Sequence, residues 1–245
     1  MKKLISILGS TGSVGLSTLE IIQKKKNNFK PYVFSANKNY KLICKQITKY
    51  KPVYFVINNN DIFKKIKKKF KKNKVKIIND YNEIKKIGSN LSITISAIPG
   101  IGGLSPMIKL IKFSNKILIA NKEAIVCGWN LIKKKADENN TKLIPMDSEH
   151  YSISQLIKNY KMNEIKKIYI TSSGGPFLNY DLKQFKKIKL KDALKHPKWK
   201  MGKKITIDSS TLFNKILELI EAQKLFNIPL EKLDVIIHPN SLVHA

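Results

Sequence analysis

Along the first part of the chain, short apolar runs alternate with stretches whose apolar positions recur every three to four residues. The runs at 4–8, 32–36, 53–57, 75–78, 93–98, 117–120 and 142–146 are rich in Ile, Val, Leu and Phe, which predicts strands. Between them, helical spacing predicts helices from about Ser13, over 40–50 and 62–72, near 104–113 and over 123–135. This βαβ rhythm implies an α/β fold with a Rossmann-like, doubly wound parallel sheet. The rhythm changes near Met146. Beyond it the pattern reads as a helix from about Ser148, a strand at 168–171, a Gly-rich turn and a lysine-rich connection. A long helix from about Ser209 to Phe226 and a strand at 235–237 follow. We therefore expect a dinucleotide-type domain over 1–146 and an α+β domain over 147–245.

Composition narrows this picture without redrawing it. A chain of 245 residues with 42% apolar content can bury one large core or two small ones. No apolar run approaches bilayer length, and Gly9, Thr11 and Gly12 interrupt the only opening that resembles a signal peptide. Two distant cysteines, Cys44 and Cys127, suit reduced thiols and a cytoplasmic protein. The net charge of +30 would point to polyanions, but all 47 basic residues are lysine. Arginine is the usual residue for base edges and bidentate phosphate contacts, so its absence argues against specific nucleic-acid recognition. Abundant Ile and Asn accompany the lysines, the pattern an AT-rich genome imposes. Runs such as Lys64–Lys72 therefore read as the solvated face of an amphipathic helix.

Candidate chemistry enters first at Gly9-Ser10-Thr11-Gly12-Ser13-Val14-Gly15, between the first strand and the first helix. Glycines there allow a tight turn, and the helix N-terminus offers N–H groups and a positive dipole end to a pyrophosphate. After the second strand, Asn37-Lys38-Asn39 stands where an NAD site would place a carboxylate for the ribose 2′-hydroxyl. One lysine and no acid suit a 2′-phosphate, so NADP(H) is the expected cofactor.

The second candidate is Met146-Asp147-Ser148-Glu149-His150, at the end of an apolar run. In extended backbone Asp147 and Glu149 would project to one face, where a shared proton, a lysine or a hard cation such as Mg²⁺ or Mn²⁺ must relieve their repulsion. Alternatively the same residues start a helix, with Asp147 or Ser148 as its N-cap. On the later helix, Asn214 and Glu218 sit one turn apart with Lys215 beside them. They either pair with each other or bring Glu218 to the Asp147/Glu149 site as a third carboxylate. His196, Trp199, Met201 and Gly202 lie in a Pro/Gly-punctuated loop of the kind that covers sites, and Ser172–Pro176 is a small-residue turn suited to a phosphate.

Taken together, GSTGSVG at 9–15, ANKE at 120–123, DSEH at 147–150, SGGPF at 173–177, HPKWKMGKK at 196–204, DSSTLFNKILELIEA at 208–222 and the closing IHPNSLVHA resemble one family in unbroken order. That family is the 1-deoxy-D-xylulose 5-phosphate reductoisomerases. The resemblance implies NADPH- and Mg²⁺- or Mn²⁺-dependent rearrangement and reduction of 1-deoxy-D-xylulose 5-phosphate to 2-C-methyl-D-erythritol 4-phosphate, on the route to isoprenoids. It assigns Gly9, Ser10, Thr11, Gly12, Ser13 and Val14 to the cofactor's phosphates and Asn37, Lys38 and Asn39 to its adenosine end. Asn121, Glu123 and Gly202 supply further cofactor contacts. Asp147, Glu149 and Glu218 become metal ligands, and Lys122, Glu149 and His196 catalytic residues. Lys122, Ser148, Glu149, Ser173, His196, Ser209, Asn214, Lys215 and Glu218 become substrate contacts, with His196, Trp199 and Met201 on a closing loop. A sugar phosphate is the expected partner, with a homodimer as the assembly and no membrane association. Two departures stand out: Lys203 replaces the family's usual arginine, and the sequence stops at Ala245 where the family continues into further catalytic and helical segments. From the second, the expectation is NADPH binding with slow turnover unless a partner chain or self-association completes the domain.

Overall fold

A computed structural model describes residues 2–85, 92–195 and 203–245. The chain divides into two compact units, Met1–Pro145 and Met146–Ala245.

The first unit is a seven-stranded parallel sheet. Its strands are β1 (Lys3–Leu8), β2 (Phe29–Ala36), β3 (Tyr54–Ile57), β4 (Lys76–Ile78), β5 (Ser92–Ser96), β6 (Lys116–Ile119) and β7 (Lys142–Pro145), in the spatial order β4-β3-β2-β1-β5-β6-β7. Helices α1 (Ser13–Lys24), α2 (Tyr40–Tyr50), α3 (Asn60–Lys69), α4 (Leu104–Ile111) and α5 (Lys122–Glu138) make the crossovers. Alternate strand residues supply one core: Ile5 and Ile7, Phe34 and Ala36, Phe55 and Ile57, Ile77 and Ile95. They pack against Leu19 and Ile22 of α1, Ile43 and Ile47 of α2, and Ile66 of α3. The intervening residues Leu4, Leu8, Val33, Tyr54, Val56 and Ile78 are buried too, which is why the strands read as continuous apolar runs. α3 keeps Ile66 fully buried while Lys67, Lys68 and Lys69 face solvent, so the lysine run is a solvated helix face as expected.

The order of strands reverses beside β1, which pairs with β2 on one side and β5 on the other. Open α/β sheets bind ligands at the carboxyl end of such a switch point. The turn there depends on two glycines. Gly9 has φ +86°, and a Cβ on it would stand 2.7 Å from the Ala97 carbonyl oxygen. A Cβ on Gly15 would stand 2.4 Å from the carbonyl oxygen of Gly9.

The second unit holds a parallel pair, β8 (Ile168–Ser172) and β9 (Leu233–Ile237), with helices α6 (Ser148–Leu156), α7 (Leu182–Phe185), α8 (Leu190–Ala193), α9 (Lys203–Ser210) and α10 (Phe213–Phe226). Its core joins Ile153 of α6 and Ala222 of α10 to Ile168, Ile170 and Leu233. The far edge of β8 is met by the chain's last residues, where Thr171 N–H donates to the His244 carbonyl at 3.1 Å.

The helix expected to run from Ser209 is interrupted near its start: Ser209 and Ser210 close α9, and 213–226 form α10. Leu212 breaks it with φ +59°, and α10 begins at Phe213. Hydroxyls cause the break: Ser210 Oγ donates to the Ile207 carbonyl, Thr211 Oγ1 donates to that of Asp208, and Thr211 Oγ1 accepts from Phe213 N–H. These local bonds compete with the helical ladder, and apolar spacing does not register them.

The glycine geometry separates a required residue from a permitted one. Gly15→Ala forces a Cβ into backbone and should cost about 1–3 kcal/mol. Gly12→Ser places a favoured N-cap residue at φ −82° and should change stability by less than about 0.5 kcal/mol. Urea denaturation of both variants checks the contrast, and equal stability would refute it.

Candidate functional site

In the first unit, the residues expected at a dinucleotide gather at the carboxyl ends of neighbouring strands. Leu8 of β1 is in register with Ser35 of β2, so the 9–15 turn and Asn37-Lys38-Asn39 leave the sheet side by side. Two bonds tie the turn to β2: Gly9 N–H donates to Ser35 Oγ at 3.1 Å, and Ser10 N–H to the Ser35 carbonyl at 2.8 Å. Gly12 caps α1 with no side-chain hydrogen bond and no acidic residue follows in the first turn, which leaves that helix end chemically suited to an anion. Gly12, Ser13, Asn37, Lys38 and Asn39 are exposed, Thr11 and Val14 are half-buried, and Ser10 is buried.

Asn121, by contrast, is 2% exposed and structurally engaged. Its Nδ2 donates to the carbonyls of Ile98 (2.6 Å) and Gly100 (2.9 Å), and its Oδ1 caps α5 by accepting from Ala124 N–H at 3.1 Å. The side chain thus joins the turn after β5 to the start of α5, a positioning role that sequence reading missed. Lys122 and Glu123 follow on the first turn of α5, half-buried.

In the second unit, Asp147, Glu149 and Glu218 each place a carboxylate oxygen within 4.8 Å of the others. The convergence does not come from a strand end, as the two-residue spacing had implied. β7 stops at Pro145, and Asp147 is the N-cap of α6, accepting from Glu149 N–H at 3.2 Å. Capping and convergence are therefore the same geometry, because the cap turns Asp147 toward the first helical turn that carries Glu149. A carboxylate has lone pairs beyond the one a cap uses, so the two roles are compatible.

Lys215 compensates the cluster. Its Nζ lies 2.6 Å from Glu149 Oε1 and 2.6 Å from Glu218 Oε2. Ser148 Oγ donates to Glu149 Oε2 at 2.8 Å, and Asn214 Nδ2 donates to Glu218 Oε1. Both readings of the Asn214/Glu218 spacing hold together: the pair is bonded, and Glu218 joins the cluster. α10 consequently buries Asn214, Lys215, Glu218 and Glu221 while Phe213 and Ile216 are about half exposed, the reverse of what apolar content suggests. Burial, then the negative charges of Asp147 and Glu218, raise the Glu149 carboxyl above its ordinary range against the opposing pull of Lys215. Three oxygen donors with an ammonium standing among them fit a hard divalent cation.

A further layer supports this cluster. His150 is fully buried, and its Nε2 lies 2.9 Å from the Glu218 backbone carbonyl, linking α6 to α10. Its Nδ1 lies 3.5 Å from Asp147 Oδ1 and 3.4 Å from Glu221 Oε2, at charge-contact rather than hydrogen-bond range. Burial by itself would lower the His150 pKa; contact with Asp147, the charge of Glu221 and the Glu218 carbonyl outweigh it and push the value up to about 9. The signal for Glu221 was available in the sequence: a second acid one turn beyond Glu218 on an otherwise apolar helix.

Ser173 and Ser209 belong to a neighbouring feature. Gly174 and Gly175 have φ +87° and +71°, and a Cβ on Gly175 would stand 2.8 Å from the Ser209 carbonyl oxygen, so the turn lies against the end of α9. A cavity of about 310 Å³ opens beside it, lined by Ser173, Gly175, Asn179, Tyr180 and Pro239. His196, Trp199, Met201 and Gly202 fall outside the described residues.

Comparison with known proteins points to one family. Residues 5–128 match the family model for 1-deoxy-D-xylulose 5-phosphate reductoisomerase, and residues 143–226 match that for the C-terminal domain of the same enzyme. The reductoisomerase of Pelagibacter ubique (strain HTCC1062) is 48% identical over 248 residues, covering 100% of this chain and 64% of the relative. That of Clostridium novyi (strain NT) is 44% identical, covering 99% and 64%. Among solved structures, a reductoisomerase in complex with NADPH, fosmidomycin and magnesium has a TM-score of 0.88 at 34% identity, covering 99% of this chain and 62% of that one. The Zymomonas mobilis enzyme in complex with NADPH has a TM-score of 0.87 at 32% identity, covering 100% and 63%. The chain thus spans somewhat less than two thirds of the length of these relatives.

The charge arrangement fixes the sign of a pH dependence. His150 binds its proton more tightly folded than unfolded, so its contribution is complete below its ordinary value of 6.5 and is lost as pH rises through about 9. The raised Glu149 carboxyl acts in the same direction, since the folded state holds more protons above the ordinary glutamate range. In a chelating buffer, stability should fall with rising pH, with His150 contributing on the order of 3 kcal/mol. Chemical denaturation at pH 6 and pH 9, beside a His150→Phe variant with a flatter profile, checks this. A wild-type profile that rises across that window would contradict it.

Proposed function

The chain belongs to the 1-deoxy-D-xylulose 5-phosphate reductoisomerase family, and on that premise we propose that it serves the NADPH- and divalent-metal-dependent conversion of 1-deoxy-D-xylulose 5-phosphate to 2-C-methyl-D-erythritol 4-phosphate. The observation that carries the reading is the Asp147/Glu149/Glu218 cluster with Lys215 at its centre. Three converging carboxylates suit a hard cation, which a dinucleotide reaction without a metal would not need.

Asp147, Glu149 and Glu218 would hold Mg²⁺ or Mn²⁺, and the 9–15 turn with Asn37, Lys38 and Asn39 would hold NADPH. The cation supplies Lewis acidity toward the substrate's carbonyl and hydroxyl oxygens, and the dinucleotide supplies hydride. The chain's own groups bind and orient the substrate. Lys215, Asn214, Ser209 and Ser173 offer an ammonium, an amide and hydroxyls to the oxygens of a sugar phosphate. As a ligand to the cation Glu149 would stand ionised, placed to accept a proton from a substrate hydroxyl. Lys122 and Ser148 complete the substrate contacts, with Glu123 at the cofactor. His196 and Gly202 are carried by the family resemblance alone. Asn121 acts through the loops it joins. The same reading carries a cytoplasmic homodimer, checked by light scattering on the purified chain.

Two substitutions test the assignments. Glu149→Gln keeps the shape and removes the charge, and should weaken Mn²⁺ binding by more than the roughly 10–100-fold typical of a residue that merely supports a ligand. Calorimetric titration of the chain reads this directly, and near-normal affinity would remove Glu149 from the ligand set. For the cofactor, the unmodified chain should bind NADPH well ahead of NADH, and Lys38→Asp should narrow or reverse that order by repelling the 2′-phosphate. Equal affinity for both cofactors in the unmodified chain would refute the NADPH assignment. Turnover is read as NADPH oxidation that requires both the sugar phosphate and the metal; oxidation that proceeds without either would overturn the reaction proposed.

A further inference from the structure

Ser10 of the glycine-rich turn is completely buried, and what buries it lies on a different element. Gln46, in the second turn of α2, is 2% exposed and meets Ser10 with both ends of its amide. Ser10 Oγ donates to Gln46 Oε1 at 2.6 Å, and Gln46 Nε2 donates to the Ser10 backbone carbonyl at 2.8 Å. The pair is reciprocal, buried and long-range, and Ser10 Oγ also lies 3.1 Å from the Ser35 carbonyl. Reciprocal bonding at both ends fixes an amide in orientation as well as position, and in low dielectric the loss of either bond leaves a buried polar group unsatisfied.

The consequence follows from where α2 begins. Asn39 is its N-cap, accepting from Leu42 N–H at 3.1 Å, so Asn37-Lys38-Asn39 is continuous with the helix that carries Gln46. One end of α2 therefore presents the residues suited to a 2′-phosphate, while its second turn grips the turn suited to a pyrophosphate. We propose that Gln46 is a positioning residue that fixes the spacing between the two halves of the dinucleotide site, so that a ligand spanning both meets them preorganised. The inference rests on the reading that 9–15 and 37–39 hold NADPH. Gln46 itself touches no ligand in it.

A strut makes a prediction that a merely stabilising core residue does not. Removing it should penalise a ligand that bridges both halves far more than one that occupies a single half. In Gln46→Met, which keeps the volume and removes both bonds, the Kd for NADPH should rise about tenfold, the loss expected for roughly one good buried hydrogen bond. The Kd for adenosine 2′-monophosphate, which reaches only the 37–39 end, should change less than about twofold on the same arithmetic. Both are measured by calorimetry on the full chain, with cooperative unfolding confirmed first. Ser10→Ala serves as the second variant if Gln46→Met does not fold. It removes the Ser10 Oγ contacts with Gln46 Oε1 and with the Ser35 carbonyl, and should weaken NADPH more than the half-ligand. Unchanged NADPH affinity, or equal loss for both ligands, would overturn the strut. Failure of the unmodified chain to bind NADPH at all would instead overturn the cofactor reading beneath it.

Discussion

Three carboxylates within 4.8 Å of one another cannot share a largely buried site unless positive charge sits among them. The second unit is arranged around that constraint. Lys215 meets Glu149 and Glu218 at 2.6 Å each, and His150 stands between Asp147 and Glu221. Because Lys215 sits on α10, His150 on α6, and the carboxylates are shared between the two, the electrostatics also define the packing of those helices. The backbone carbonyl of Glu218 is part of the arrangement, since His150 Nε2 reaches it across the interface. A hard cation entering such a site would meet donors already converged.

The first unit is organised differently, around the carboxyl ends of its parallel strands. There the fixed points are polar groups placed under the surface. Ser35, Gln46 and Asn121 are all nearly or fully buried, and each bonds to backbone at the carboxyl ends of the strands. Buried polar groups of this kind are satisfied or costly. Their partners define which loop conformations are available. The residues exposed above them, Gly12, Ser13, Asn37, Lys38 and Asn39, inherit their positions from this hidden layer.

Much of this was legible in the sequence, for identifiable reasons. The strands of the first unit were found because most of their residues are apolar and the inner strands are buried on both faces; α2 matched its expected span, Tyr40–Tyr50. The glycine-rich turn and the acid pair Asp147/Glu149 were visible as motifs. What escaped was set by side-chain hydrogen bonds. Ser210 and Thr211 bond locally and let Leu212 turn left-handed, so α10 starts at Phe213 rather than Ser209. The short helices α7 and α8 have too few turns for a periodicity to register. Spacing alone cannot distinguish an extended pair from a cap and the helical residue it bonds, so both readings of Asp147 stood open until the structure made it the N-cap of α6. For Gln46, His150 and Glu221 it is the partners that reveal what the side chains do.

The central claim is that α6 and α10 together build a divalent-cation site from Asp147, Glu149 and Glu218. It is tested most directly by crystals of the chain grown or soaked with Mn²⁺ and measured for anomalous scattering. The account predicts a single strong peak bounded by those three carboxylates. A peak at other residues, or none there at saturating Mn²⁺, would contradict it.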